Sequence, residues 1–380
     1  MFFRTIPIAD TGVIVQISRY DAVQGVTEWH LIFHPGSCTD GFQSQYGRLI
    51  AARESLLPMP EFRSARCMQS RWFVSDIANQ FPLMTPFPDG ASSVIQQPPL
   101  DGSKVALWMY LLSVEGDASS DDGTFSLHRN GYTHLWASAL TSTEGDSGAQ
   151  TAEILDRYET MLADRGMTLA ADCVRTWFFV RDVDTHYQGL VCARRENFEA
   201  QGLTSQTHFI ASTGIGGSPF RTASLVQMDA YAVKGLEEGQ VQYLQALTHL
   251  NPTYEYGVTF ERGTKISYGD REHLFISGTA SIDCHGEVVH VGDVVAQTHR
   301  MWENVEALLH EGGAAFTDVM QMIVYLRDIA DYTVVSEMFR QRFPDVPCII
   351  TLAPVCRPAW LIEMECVAVK EGHHPSFRNF

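Results

Sequence analysis

Three stretches of this chain carry one pattern at one internal spacing, and any fold must accommodate them as three like units. A glutamine opens each copy of the pattern: Gln45, Gln150 and Gln297. Apolar residues follow 4, 11 and 12 positions later: Leu49, Leu56 and Leu57; Ile154, Met161 and Leu162; Met301, Leu308 and Leu309. That spacing is one face of an amphipathic helix. An aspartate closes the next apolar run 31, 32 and 31 residues after the glutamine, at Asp76, Asp182 and Asp328. Strand-like runs precede each helix, at residues 31–37, 135–141 and 274–280, and follow it at 72–77, 177–183 and 324–329. A late strand completes each unit: 105–112, 225–232 and 361–368. A unit of strand, helix, strand and late strand that recurs three times buries its apolar faces against its neighbours.

The ends of the elements agree with this division. Asp293 is placed to cap the third helix, Gly312-Gly313 to end it, and Gly166 to end the second. Residues 113–124 read as a linker by composition. Residues 234–256 read as a longer linker, with a short helix over 240–250 stopped by Asn251-Pro252. The units are therefore expected at 1–113 (the most degenerate), 125–234 and 257–371, with 373–380 a loose tail.

Composition narrows the function. The chain has 380 residues, 45% hydrophobic and 19% charged, which is ordinary for a folded globular protein. Its formal net charge of −18 argues against a nucleic-acid partner, which needs basic patches to neutralise phosphate. The eight cysteines, at 38, 67, 173, 192, 284, 348, 356 and 366, form no CxxC pair and no zinc-spaced cluster. They are expected to be reduced thiols of a cytoplasmic protein with no metal and no cofactor. The first residues lack the basic and apolar regions of a secretory signal, and no apolar run reaches membrane-spanning length.

The third late strand carries the most chemistry. Leu361, Glu363, Glu365 and Val367 share one face, so two carboxylates stand among apolar residues, with Cys356 seven positions before Glu363. Such a carboxylate is either a solvated strand residue or a proton-transfer group. Glu365 is read as the former. In the second copy Gln227 takes the place of Glu363, and the first copy has no carboxylate or amide between 105 and 112. Asp182 and Asp328 read as loop-holding residues. The glycine-rich stretch 212–217 lacks the strand-then-helix setting of a phosphate loop and reads as a loop.

The third copy resembles the Rid (YjgF-type reactive intermediate deaminase) family. The likeness rests on Leu274-Phe275-Ile276-Ser277-Gly278-Thr279, on Gln297-Thr298, on residues 324–332 and on residues 362–368. The second copy matches more loosely and the first in outline. Rid proteins are homotrimers with sheets inward, helices outward and sites between subunits. The resemblance thus implies an α+β fold of three tandem Rid/YjgF-like (chorismate mutase-like) repeats forming an intramolecular pseudo-trimer, with the chain a monomer. The chain departs from the deaminase pattern. The family's substrate-gripping arginine after Pro-Ala is missing from Pro347-Cys348-Ile349, and its asparagine falls on Ser336. Its glutamate is retained as Glu363.

The chain is also similar to the chorismatases, which are built on Rid-like repeats. The matching stretches are residues 277–281, residues 292–298, and Cys356 seven residues before Glu363. This resemblance implies an enzyme that cleaves the enolpyruvyl ether of chorismate, a small dianion, with Glu363 as the acid. Cys356 would line the pocket and lean the outcome toward 3-hydroxybenzoate, and Ala280 would lean it toward a dihydrodiol. Tyr187 and Arg195 sit where that family places substrate-binding residues. Arg195 and Arg221 are candidate carboxylate clamps, because a planar guanidinium pairs bidentately with carboxylate. Thr279 offers a hydroxyl to the site. The alternatives are a Rid-type enamine or imine deaminase and a non-catalytic small-molecule-binding protein. The ribonuclease activity also attached to this superfamily fits poorly with the charge.

Overall fold

A computed structural model describes every residue except 23, 24, 37, 86–89, 115, 116 and 122. Ser37, the last residue of the first expected strand, lies outside the described residues, as do three residues of the first expected linker.

Each unit forms one sheet, and the three sheets share an order. In the third, Gly263–Ser267, Arg271–Ala280, Ile362–Glu371, Val319–Leu326 and Cys348–Leu352 lie side by side. The same five positions are taken in the second sheet by Thr124–Arg129, Tyr132–Thr141, Val226–Lys234, Cys173–Val180 and Ala211–Gly216. In the first they are Val13–Asp21, Thr27–Pro35, Val105–Ser113, Ala65–Val74 and Ala91–Gln96. The late strand is thus central and antiparallel to both neighbours, and the last strand of each order runs parallel beside the fourth. Helices Phe42–Leu56, Ser147–Ala163 and Val294–Glu311 each pack their apolar stripe on one sheet. The opposite faces meet in a shared aromatic core that includes Trp108, Trp136, Trp177, Tyr231 and Phe275. This is the α+β pseudo-trimer that the threefold pattern implies.

The recurring glutamine has a structural cause. Each is fully buried and aims its amide at the start of the late strand. Its carbonyl oxygen accepts from the backbone N–H of Lys104 (2.7 Å), Leu225 (2.7 Å) or Leu361 (2.9 Å), one residue before that strand begins. Its Nε2 donates to loop carbonyls, in the third unit to His290 and Ala359. A helix of one layer thus fixes the register of the central strand in the other. Gln297→Leu keeps the volume but leaves the Leu361 N–H unpaired. Its expected cost is about 1–3 kcal/mol, readable as a lower denaturation midpoint.

A buried arginine and carboxylate close each seam between units. Arg71 reaches Asp229 at 3.1 Å, Arg175 reaches Glu365 at 2.8 Å, and Arg271 reaches Glu28 at 2.6 Å. The seams are also stitched by backbone. Strand Ser218–Pro219 crosses over to pair with Ala91–Gln96, and the N–H of Ser212 donates to the Ser277 hydroxyl at 2.9 Å.

Three local expectations need correction. Residues 240–250 hold no helix; Val241–Leu244 is a strand that extends the third sheet. Asp117–Asp121, within the first expected linker, is a strand paired with Thr124–Arg129. The tail is not loose. Phe380 is buried, its ring 4.6 Å from that of His273 and beneath the Arg271 guanidinium, and its N–H donates to Asp270. Among the described residues no helix is long and apolar enough to cross a membrane.

Candidate active site

The seam between the second and third units holds a pocket, and six segments build it. The late strand Ile362–Glu371 brings Glu363. Strand Arg271–Ala280 brings Gly278 and Ala280, and strand Ala211–Gly216 brings Ser212 and Gly214. Helix Val183–Ala200 brings Tyr187 and Arg194. The segment after Cys348–Leu352 brings Cys356, Arg357 and Trp360, and residues 258–262 bring Phe260 and Arg262.

Glycines make this close approach possible. The third sheet bulges at Ser277-Gly278, where its register against the late strand slips. A Cβ on Gly278 would stand 2.1 Å from Glu363 Oε1, so the carboxyl group fills the space a side chain would take. A Cβ on Gly214 would press on the Tyr187 ring at 3.0 Å, and one on Gly216 on Pro354 at 2.8 Å. The stretch 212–217 is therefore mostly strand rather than loop, and part of its glycine content makes room for neighbours across the seam.

Glu363 is 5% exposed, and burial pushes its carboxyl up to about 8. The negative charge of Glu365 adds to that rise, while Arg175 and Arg262 oppose it. At neutral pH the group is mainly a neutral acid. Glu365, two residues on, has a different part. It accepts from Arg175 at 2.8 Å and from Trp177 Nε1 at 2.9 Å, and Thr213 also donates to it. It is a buried seam carboxylate, not a solvated one. Burial and the adjacent Glu363 push the Cys356 thiol up to about 12, so it is not a thiolate near neutrality. A hydrogen bond links it to Tyr187.

Four of the seven expected residues meet here: Glu363, Cys356, Tyr187 and Ala280. Three do not line the pocket. Thr279 is fully buried and donates its hydroxyl to the Ser277 carbonyl at 2.9 Å, inside the bulge. Arg195 lies exposed on helix Val183–Ala200, whose buried face is Val183, Leu190, Val191, Arg194 and Phe198. One residue is 100° of rotation, so Arg194 enters the pocket and Arg195 faces water. Arg221 is exposed too. It stands six residues before Gln227, as Arg357 stands six before Glu363, and so belongs to the seam between the first two units. Arg194, Arg262 and Arg357 are the arginines of this pocket. Helical periodicity over 183–200 is the signal that separates Arg194 from Arg195. Asp182 and Asp328 hold loops, accepting from Thr185 and from the Ala330 N–H.

A neutral carboxylic acid beside three guanidinium groups can protonate a bound anion while its negative charges stay paired.

Known proteins share the family and the fold of this chain. The endoribonuclease L-PSP family model matches residues 266–370. A RutC family protein of Pyrococcus abyssi is 38% identical over 101 residues, covering 26% of this chain and 79% of that protein. A 3-hydroxybenzoate synthase of Streptomyces hygroscopicus is 28% identical over 289 residues, 69% of this chain and 81% of that protein. A chorismatase crystal structure matches in fold with a TM-score of 0.64 at 18% identity, covering 80% of this chain and 93% of that one. The chain belongs to the Rid (YjgF-type) superfamily, and within it is chorismatase-like.

Proposed function

We propose that the pocket between the second and third units cleaves the enolpyruvyl ether of chorismate, releasing pyruvate. The observation that carries this reading is the neutral acid Glu363 in one pocket with Arg194, Arg262 and Arg357. Chorismate carries two carboxylates and an enol ether. The arginines pair with the carboxylates, and Glu363 donates its proton to the ether's methylene carbon. Water, or the substrate's own neighbouring hydroxyl, captures the resulting cation. Collapse of that adduct breaks the ether C–O bond and frees pyruvate, and the adduct's proton returns to the Glu363 carboxylate. By the water route the ring leaves as a dihydrodiol, its ether oxygen taking a proton. By the internal route the ring carbon that bore the hydroxyl also loses its C–O bond and its neighbour loses a C–H proton. That oxygen then leaves in pyruvate, the lost proton goes to the ether oxygen, and the ring leaves as a hydroxybenzoate. Cys356 acts here as a neutral thiol lining the pocket with Ala280, not as a nucleophile. The names of two relatives that match over most of this chain, a chorismatase and a 3-hydroxybenzoate synthase, support the substrate class.

The free space in the pocket is about 40 Å³, so a ring-sized substrate must displace side chains at the mouth. Tyr187 and Arg357, both half-buried, are placed to move. The test is to incubate the purified chain with chorismate, follow pyruvate, and identify the ring product by mass. Pyruvate with a matching ring product is the expected outcome. No pyruvate, with ammonia released from an enamine acid instead, would return the pocket to deaminase chemistry. Gly278→Ala is a second check. Its methyl group would displace the Glu363 carboxyl, and activity should fall at least tenfold, while a seam without Glu363 chemistry would tolerate it.

A further inference from the structure

The seam between the first and second units holds a second pocket, at the position that the repeat makes equivalent to the first. Ala139 stands there for Gly278, Ser92 for Ser212, Val94 for Gly214 and Phe220 for Cys356. Gln227 takes the place of Glu363 and cannot donate an acidic proton. Among the described residues the first unit also has no counterpart of the long helix that carries Tyr187 and Arg194; after Ala65–Val74 come the four-residue helix Ile77–Gln80 and a 3-10 turn at Phe81–Leu83. What remains is apolar. Trp72, Phe81, Met84, Val94 and Phe220 form the walls, and among the described residues no charged side chain lines them. The Phe81 and Phe220 rings lie 4.9 Å apart, tilted by 39°.

The loss of polar groups has opened this pocket rather than filled it. Its volume is about 220 Å³, against about 40 Å³ for the charged one. An apolar cavity of about 150 Å³ is enough to take up benzene. Ionised ligands are disfavoured, because nothing in the lining offsets the loss of their hydration. A planar ring stacks on the aromatic walls, and the Ser92 and Thr85 hydroxyls are the polar side-chain groups of the lining. Gln227 itself is fully buried behind this lining, with Nε2 on the Val94 carbonyl, and does not line the pocket. The Ser92 and Thr85 hydroxyls in the lining favour a ring bearing a hydroxyl.

We propose that this second seam binds a small uncharged aromatic molecule of the phenol class, independently of the charged pocket. Calorimetric titration of the purified full chain with phenol tests this. Saturable binding is expected, weakened at least tenfold by Val94→Trp and by Met84→Trp, each of which fills the cavity. Glu363→Gln should leave phenol affinity unchanged, and benzoate should bind at least tenfold more weakly than phenol. The proposal is overturned if phenol shows no saturable binding. It is equally overturned if both filling variants retain full affinity while folded, if Glu363→Gln abolishes binding, or if benzoate binds as well as phenol.

Discussion

Glu363→Gln is expected to lower pyruvate release from chorismate by about 10²–10⁴-fold, the span that a positioned general acid contributes. The amide has nearly the shape of the acid, so the loss should fall on kcat more than on KM. A decline smaller than tenfold would remove Glu363 from the acid's role. The wild-type rate should hold below about pH 8 and fall above it, as the carboxyl group, raised by burial and by Glu365, ionises. The same shift makes a prediction about stability with the opposite benefit. Between its ordinary value of 4.5 and about 8, Glu363 is protonated in the folded chain and ionised in the unfolded one. The folded state therefore binds more protons there, and stability is lost as pH rises across that window, with no further loss above it. Glutamine does not ionise. The variant should melt together with the wild type near pH 4.5 and above it at pH 8, by an increment worth a few kcal/mol. Inactivity with added stability is the signature of a group held against its solvation for chemistry; a structural carboxylate would lose both.

The threefold pattern was legible because its key residues act locally and recur. Gln45, Gln150 and Gln297 each bind a backbone amide at the same place in the unit, so both their identity and their spacing are constrained. Glu363 was legible because alternation placed it on the inward face and because Cys356 and residues 277–281 accompany it. What could not be read was which side chains a neighbouring unit contributes. Arg195 and Arg221 satisfy the chemistry of a carboxylate clamp as well as Arg194 and Arg357 do. Helix rotation excludes the first and seam identity the second, and both are properties of assembled units. Strand Val241–Leu244 was misread because apolar and polar residues over 240–250 suit either state, and pairing with Gly263–Ser267 decides it. The burial of Phe380 depends on a cleft formed by His134, Tyr268 and Arg271, residues far apart in sequence.

Arg175→Met should destabilise the chain by about 3–5 kcal/mol, because it leaves the Glu365 carboxylate buried at the seam without its salt bridge. Trp177 and Thr213 still donate to that carboxylate, but neither carries charge. Arg71 is the nearest other cation, at 3.8 Å, and it is already paired with Asp229. A denaturation midpoint equal to that of the wild type would mean that Arg71 takes over the pairing. The double variant Arg175→Met with Glu365→Leu should recover much of the loss, since a buried pair replaced whole by apolar groups costs little. Glu365→Gln separates stability from chemistry. It removes the negative charge that helps hold Glu363 protonated, while leaving Arg175 and Arg262 to favour its ionised form. The alkaline fall in activity should then move to lower pH, with the neutral acid depleted at pH 7. If the fall stays near pH 8, burial alone sets the acidity of Glu363, and the pair at 175 and 365 serves the seam only. If it moves, the contact that locks the second unit to the third also sets the proton affinity of the acid between them, which would explain why a costly buried charge stands two residues from the site.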